Sequence, residues 1–314
     1  MPVKSLVHRI TTKKSAAALS VLSNACLILL KLAAGIITGS VSLIAEAVHS
    51  LMDLAAALIA YFSVRVADKP ADTDHPYGHG KIENVSGLAE GLLIFIAAGI
   101  IVYEAIRKII YGVVLEFLYL GIVVMAVSIV INILVSRHLK KVAIERDSLA
   151  LEADALHLST DVITMSGVLL ALILVKLTGI SILDPIAAVI VAVLICWAAF
   201  RITRKSLSGL MDAKLPKEEE EKIKAIIMDH GRQLVGFHNL RTRKVGSVRQ
   251  IDLHMVMPRQ SNLVEVHDIC DHIESDIKAN FPEMNITIHA EPCDNSSCSE
   301  CGVMCDENNL NAHH

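Results

Sequence analysis

Hydrophobic positions run in long unbroken blocks for two thirds of the chain and in short alternating ones afterwards. Six blocks are long enough to cross ~30 Å of hydrocarbon as helices. They are about Ser15 to Thr38, Val41 to Val66, Ile82 to Ile106, Val113 to Ser136, Leu149 to Leu177 and Asp184 to Phe200. Polar connectors separate them, among them a loop at 67–81 and a basic loop from Arg137 to Arg146. Beyond Leu215 the period changes. Pro216 to His230 reads as a helix whose acidic first turn, Glu218 to Glu221, suits the helix dipole. His238 to Val245 and Val248 to Met257 read as strands around a Gly246-Ser247 turn, the second with Ile251, Leu253 and Met255 on one face. Val266, Ile269, Ile273 and Ile277 mark a helix from Leu263 to Asn280, and Asn285 to Ala290 reads as a closing strand. The pattern predicts a polytopic α-helical membrane protein, with six transmembrane helices and a small two-layer α+β domain at its C-terminal end. The expected divisions are a basic arm at 1–14, a transmembrane domain at 15–207, a soluble domain at 208–292 and a cysteine-rich tail at 293–314.

Composition agrees with this division: the 314 residues are 53% hydrophobic, and the charged ones concentrate in the connectors and the C-terminal third. A formal net charge of −4 argues against a nucleic-acid binder. The absence of GxxxxGK[ST] and HExxH removes support for a nucleotide-driven pump and for a zinc protease. No nucleophile–base set stands out, so an enzyme is not expected. Positive charge chooses a side. Lys4, Arg9, Lys13 and Lys14, the cluster from Arg137 to Arg146, and Arg201, Arg204 and Lys205 fall on one face of the six spans. Arg107, Lys108 and Lys176 fall on the other. The positive-inside rule then places both termini and the soluble domain in the cytoplasm, with the spans in the cell (inner) membrane.

Ionisable residues inside the apolar blocks carry the chemistry. His49 and Asp53 in the second span, and His157 and Asp161 in the fifth, each stand at i and i+4, one helical turn apart on one face. Such groups are costly in hydrocarbon and mark ion or proton pathways. Two imidazoles and two carboxylates make a four-coordinate N/O shell for a divalent transition metal. The plainer alternatives are two separate helix-stabilising pairs or a proton path without metal. Asn24, Glu46, Glu90 and Asp154 also lie in or near the spans, either lining an aqueous entry or facing a neighbouring helix.

Three further groups invite a metal reading. Asp72, His75 and His79 share a Pro/Gly-shaped loop, which also reads as an ordinary solvated turn. In the soluble domain His238, His254, His267, His289 and Glu291 stand on or beside the strands and second helix, as a regulatory metal site or as unliganded surface groups. Cys293, Cys298, Cys301 and Cys305 have zinc-ligand spacing but no apolar residues around them, as in a flexible capture arm.

At these residues the chain resembles the cation diffusion facilitator family of divalent-metal/proton antiporters. The likeness rests on the HxxxD pairs of spans 2 and 5, the DHPYGHGKxE loop, Asp184-Pro185 at the start of span 6 and the HxLRTRxxG strand. It implies a ferredoxin-like cytoplasmic domain and a homodimer built largely through it. It implies His49, Asp53, His157 and Asp161 as the transport site, and Asp72, His75 and His79 as a loop site. His238, His254, His267, His289 and Glu291 would form a binuclear site at the dimer interface. Lys81 and Asp212 resemble an interlocking charge pair at the membrane boundary. The implied activity is zinc efflux across the bilayer in exchange for protons, Zn²⁺ serving as substrate and regulatory ligand. The alternatives are a broader exporter of cadmium, cobalt, iron or manganese, a membrane metal sensor that does not transport, and a passive channel.

Overall fold

In the computed structural model the described residues are 12–38, 41–111, 119–178, 180, 182–281 and 283–293. The chain divides into two compact units between Leu210 and Met211.

The first unit is all helix: α1 (Lys13–Thr38), α2 (Val41–Ala67), α3 (Ile82–Tyr111), α4 (Tyr119–Glu145), α5 (Leu149–Thr178) and α6 (Leu183–Leu210). Among the described residues, α1, α2, α3, α4 and α6 contain stretches long and apolar enough to cross a membrane. The remaining helix, α5, is 30 residues long and carries Glu152, Asp154, His157 and Asp161 in its first half. α1 packs on α2 and α4, and α5 packs on α2 and α4, while α3 and α6 form a close pair laid against α5. Small residues permit these approaches, as membrane packing requires. Ala16 and Ala17 of α1 meet Val135, Leu139 and Val142 of α4 and Leu151 and Leu158 of α5 in one core. Ile94 and Ala98 of α3 meet Ile195 and Ala199 of α6 in another. At Gly91 an added Cβ would overlap the Thr203 hydroxyl, so the α3–α6 approach needs glycine there. Leucine, isoleucine and valine fill the outward faces, with Leu29, Ile37, Ile110, Leu134 and Val193 all exposed.

One expectation fails. The segment from Arg137 to Glu145 is the continuation of α4, not a basic loop. Leu139, Val142 and Ala143 recur at helical spacing and are buried against Ala150 and Leu151, while Lys140 and Ile144 stay exposed. Charged side chains are good helix formers, and here they decorate an amphipathic extension. α3 and α6 likewise outrun the predicted spans, to Tyr111 and Leu210.

A buried carboxylate ties three helix ends together. Glu83, 1% exposed, accepts from Lys13 Nζ at 3.0 Å and from Ser148 Oγ at 2.7 Å, and the Ala150 N–H approaches it at 3.5 Å. It thus supplies negative charge to the N-terminus of α5, where the helix dipole favours it.

The second unit runs α7 (Lys217–Asp229), β1 (Gly236–Val245), β2 (Val248–Met257), α8 (Leu263–Asn280) and β3 (Met284–Pro292). β2 is central, antiparallel to β1 and parallel to β3, with α8 as the crossover. This is a two-layer α+β domain with three strands among the described residues. Ile251, Leu253 and Met255 form the buried face of β2 and pack on Ile223 and Ile227 of α7 and Ile273 and Ile277 of α8. Gly246 takes φ 63° in the two-residue hairpin turn, a conformation that glycine adopts without strain. Asn262 and Glu265 close a capping box at the start of α8.

Candidate metal centres

The first centre lies inside the helix bundle. α2 buries a stripe at coiled-coil spacing, Ala47, Ser50, Asp53, Ala57, Ala60 and Val64, and Asp53 is the carboxylate it carries among the described residues. From α5, His157 and Asp161 meet it. His157 Nε2 lies 3.4 Å from Asp53 Oδ1 and 4.0 Å from Asp161 Oδ2. One ligand atom from each of the three residues falls within 4.8 Å of the others. His157 Nδ1 and Asp161 Oδ2 are buried without a hydrogen-bond partner. The hydroxyls nearby do not supply one, since Ser159, Thr160 and Thr164 all donate back to carbonyls of α5. His49, one turn before Asp53, is not in this trio; its ring is exposed, though within electrostatic reach of both carboxylates. It sits just off the stripe that α2 turns inward.

One charged group near this centre had no role in the sequence reading. Lys31 of α1 is 5% exposed and donates to Ser50 Oγ at 2.6 Å. Its ammonium also lies within electrostatic reach of Asp53 and Asp161. A lysine in an apolar block was the signal, since a buried ammonium needs nearby anions.

The second centre is the loop between α2 and α3. Asp72 Oδ1 accepts the backbone N–H of Asp74 at 3.1 Å and of His75 at 2.7 Å, an Asx turn that shapes the loop. Gly78, at φ 82°, completes the bend. The carboxylate is then flanked by His75 Nδ1 and His79 Nε2, each at 3.3 Å, with the two rings 4.4 Å apart. The His75 N–H, aided by the imidazoles, holds the Asp72 carboxyl below its ordinary range.

The third centre crosses the sheet. Register pairs His238 with His254 and His254 with His289, so three imidazoles stand in a row, one per strand. Ring centroids are 5.1 Å and 4.9 Å apart, close to the spacing between neighbouring strands. Glu291 closes the row: Oε2 lies 3.0 Å from His238 Nε2, and Oε1 lies 2.7 Å from His254 Nδ1 and 3.5 Å from His289 Nε2. Burial pushes the Glu291 carboxyl up, but the hydrogen bonds from His238 and His254 prevail and hold it below its ordinary value. His267 does not join the row; it is exposed on α8 and faces Asp271 at 3.6 Å.

The remaining sequence candidates divide. Lys81 Nζ reaches the Leu210 carbonyl at 3.5 Å, and Asp212 accepts from Arg243 at 3.3 Å. Cys293 is buried against Val235 and Val256. Cys298, Cys301 and Cys305 lie outside the described residues.

Comparison with known proteins covers both units. Residues 17–211 match the cation efflux transmembrane domain, and residues 215–293 match the cytoplasmic domain of cation efflux proteins. An uncharacterized transporter, sll1263, of Synechocystis sp. is 36% identical over 263 residues, 84% of this chain and 85% of that one. The cation-efflux pump FieF of Pectobacterium atrosepticum is 33% identical over 262 residues, 81% of this chain and 84% of that one. A solved chain of a candidate zinc transporter, CzrB, in its Zn form, is 34% identical over 26% of this chain and 92% of that one, with a TM-score of 0.25. With both domains matched in order, and a buried His–carboxylate trio within the helical one, the chain belongs to the cation diffusion facilitator family of cation-efflux transporters.

Proposed function

We propose that this protein exports Zn²⁺ by proton-coupled antiport, loading the ion among Asp53, His157 and Asp161 with His49 as the fourth ligand. The observation that carries the reading is the meeting of Asp53 with His157 and Asp161 inside the bundle, although more than a hundred residues separate them in sequence. The donor set suits zinc, which accepts imidazole nitrogen and carboxylate oxygen in a tetrahedral shell. In this reading His49 turns inward when the metal arrives. Ligands must lose their protons to bind metal, so loading releases protons and protonation from the far side expels the ion. Imidazole titrates in the range such exchange needs. Moving two charges against ~100 mV costs about 4–5 kcal/mol, which inward protons offset.

The same reading places the spans in the inner membrane with both termini in the cytoplasm, as the basic connectors favour. It makes the protein a homodimer through its soluble unit, which zinc on the His238–His254–Glu291 row tightens. The relatives described as cation-efflux pumps support the direction of transport.

Purified protein in vesicles tests the proposal. Asp161→Ala should abolish zinc-dependent proton flux while the helical content is retained. Unchanged flux would remove the intramembrane trio from the mechanism. Zinc uptake without proton movement would leave the site and refute the antiport.

A further inference from the structure

One buried cluster is not used by the transport site. Asp154 of α5 stands three residues before His157 and is fully buried, and neither of its carboxylate oxygens has a hydrogen-bond partner. Ser20 of α1, also fully buried, sets its hydroxyl against the Asp154 carboxylate, within reach of it but out of line for a well-formed hydrogen bond. From α3, the fully buried Glu90 lies close enough for the two carboxylates to repel each other. One Glu90 oxygen accepts from Ser86 Oγ at 3.2 Å, and the other has no partner. α1 and α3 both pack on α5, so three helices bring two buried carboxylates and a hydroxyl to the same depth of the bundle.

The location gives the cluster a direction. At 1.5 Å of rise per residue, Asp154 is about 4.5 Å nearer the N-terminal end of α5 than His157 is. Glu90 is about 10 Å along α3 from Glu83, which is tied to that same end of α5. The cluster therefore lies between the end of the bundle bearing the basic connectors and the Asp53–His157–Asp161 trio.

Bare carboxylate oxygens in a low-dielectric interior cost several kcal/mol each unless a proton or a cation neutralises them. Two carboxylates match the charge of one divalent ion, and the Ser20 and Ser86 hydroxyls add neutral oxygen donors. We propose that Glu90, Asp154 and Ser20 form a second intramembrane binding station for a divalent cation, occupied on the way to the transport site. Its donors are all oxygen. A borderline-soft ion such as Zn²⁺ is held more loosely there than by imidazole, so the gradient of ligand softness runs toward His157. The station feeds the site proposed above and rests on that reading.

Full-length protein in vesicles provides the test, with zinc uptake measured against zinc concentration. Glu90→Gln and Asp154→Asn should each raise KM about tenfold and leave kcat within about twofold, because a loading step is weakened and the later steps are not. Glu90→Asp should recover most of the loss. Zinc anomalous scattering from the wild-type protein should show a peak between Glu90 and Asp154, and the peak should persist in Asp161→Ala. An unchanged KM with a changed number of protons per zinc would overturn the proposal and make the pair a proton store. Absence of the peak in wild-type protein would also overturn it, even if both variants failed to fold. Failure of the parent reading looks different: Asp161→Ala would still transport, whatever Glu90 does.

Discussion

The cluster inside the helix bundle and the cluster on the sheet use the same two kinds of side chain, and they differ in how those are held. On the sheet, strand register sets the spacing. One imidazole per strand falls into a row, and Glu291 bonds those of His238 and His254. In the bundle, spacing depends on how α2 and α5 are rotated against each other. The result is less settled: His157 Nδ1 and Asp161 Oδ2 are buried with no hydrogen-bond partner. A site satisfied on its own suits a resident regulatory ion. A site with unmet polar atoms suits a passenger, since each state of its cycle must stay close in free energy to the next.

The sharpest break of this comparison is a matched pair of substitutions. His157→Ala should lower zinc flux in vesicles by about a hundredfold or more, having removed the imidazole on which both carboxylates converge. His254→Ala should leave the flux at saturating zinc within about twofold. Equal losses would show that the two clusters are not functionally distinct. A smaller effect separates them by affinity. His254→Ala and Glu291→Gln should each weaken zinc binding at the sheet by about 10–100-fold, read by competition with a chelator.

Acid sharpens the contrast further. The Glu291 carboxyl is held below its ordinary value of 4.5 in the folded protein. Its contribution to stability is complete above that ordinary value and is lost as pH falls through the lower folded one. Metal-free wild-type protein should therefore melt above Glu291→Gln at neutral pH, with the gap closing below about pH 4. The smallest effect belongs to His267→Ala. Because His267 faces Asp271 and not the row, zinc affinity of dilute, monomeric protein should change by less than about 0.5 kcal/mol. A larger change confined to the dimer would place His267 at an interface.

Much of this was legible in the chain. The starts of α2, α3 and α5, and both ends of β2 and α8, fall at the residues where apolar periodicity begins or stops. The i, i+4 pairs announced which helices would share polar side chains. Periodicity did not reveal which ring turns inward. His49 and Asp53 are 40° apart around α2, and packing through Ala57 and Ala60 selects the carboxylate. The basic stretch after Arg137 reads as a loop because its charges mask Leu139, Val142 and Ala143, whose spacing is helical. Lys31 and Glu83 were visible as charges, but their partners come from other helices, and no local rule reaches that far.

The junction of Lys13, Glu83 and Ser148 bears on how the bundle can change shape. It pins the first turns of α1, α3 and α5 at a single point, through an ion pair and a charge-assisted hydrogen bond that water scarcely reaches. The three rods behave like ribs of a fan gathered at the rivet. Splaying their free tips leaves the rivet intact, whereas parting them at the gathered end means stripping a carboxylate of its cation.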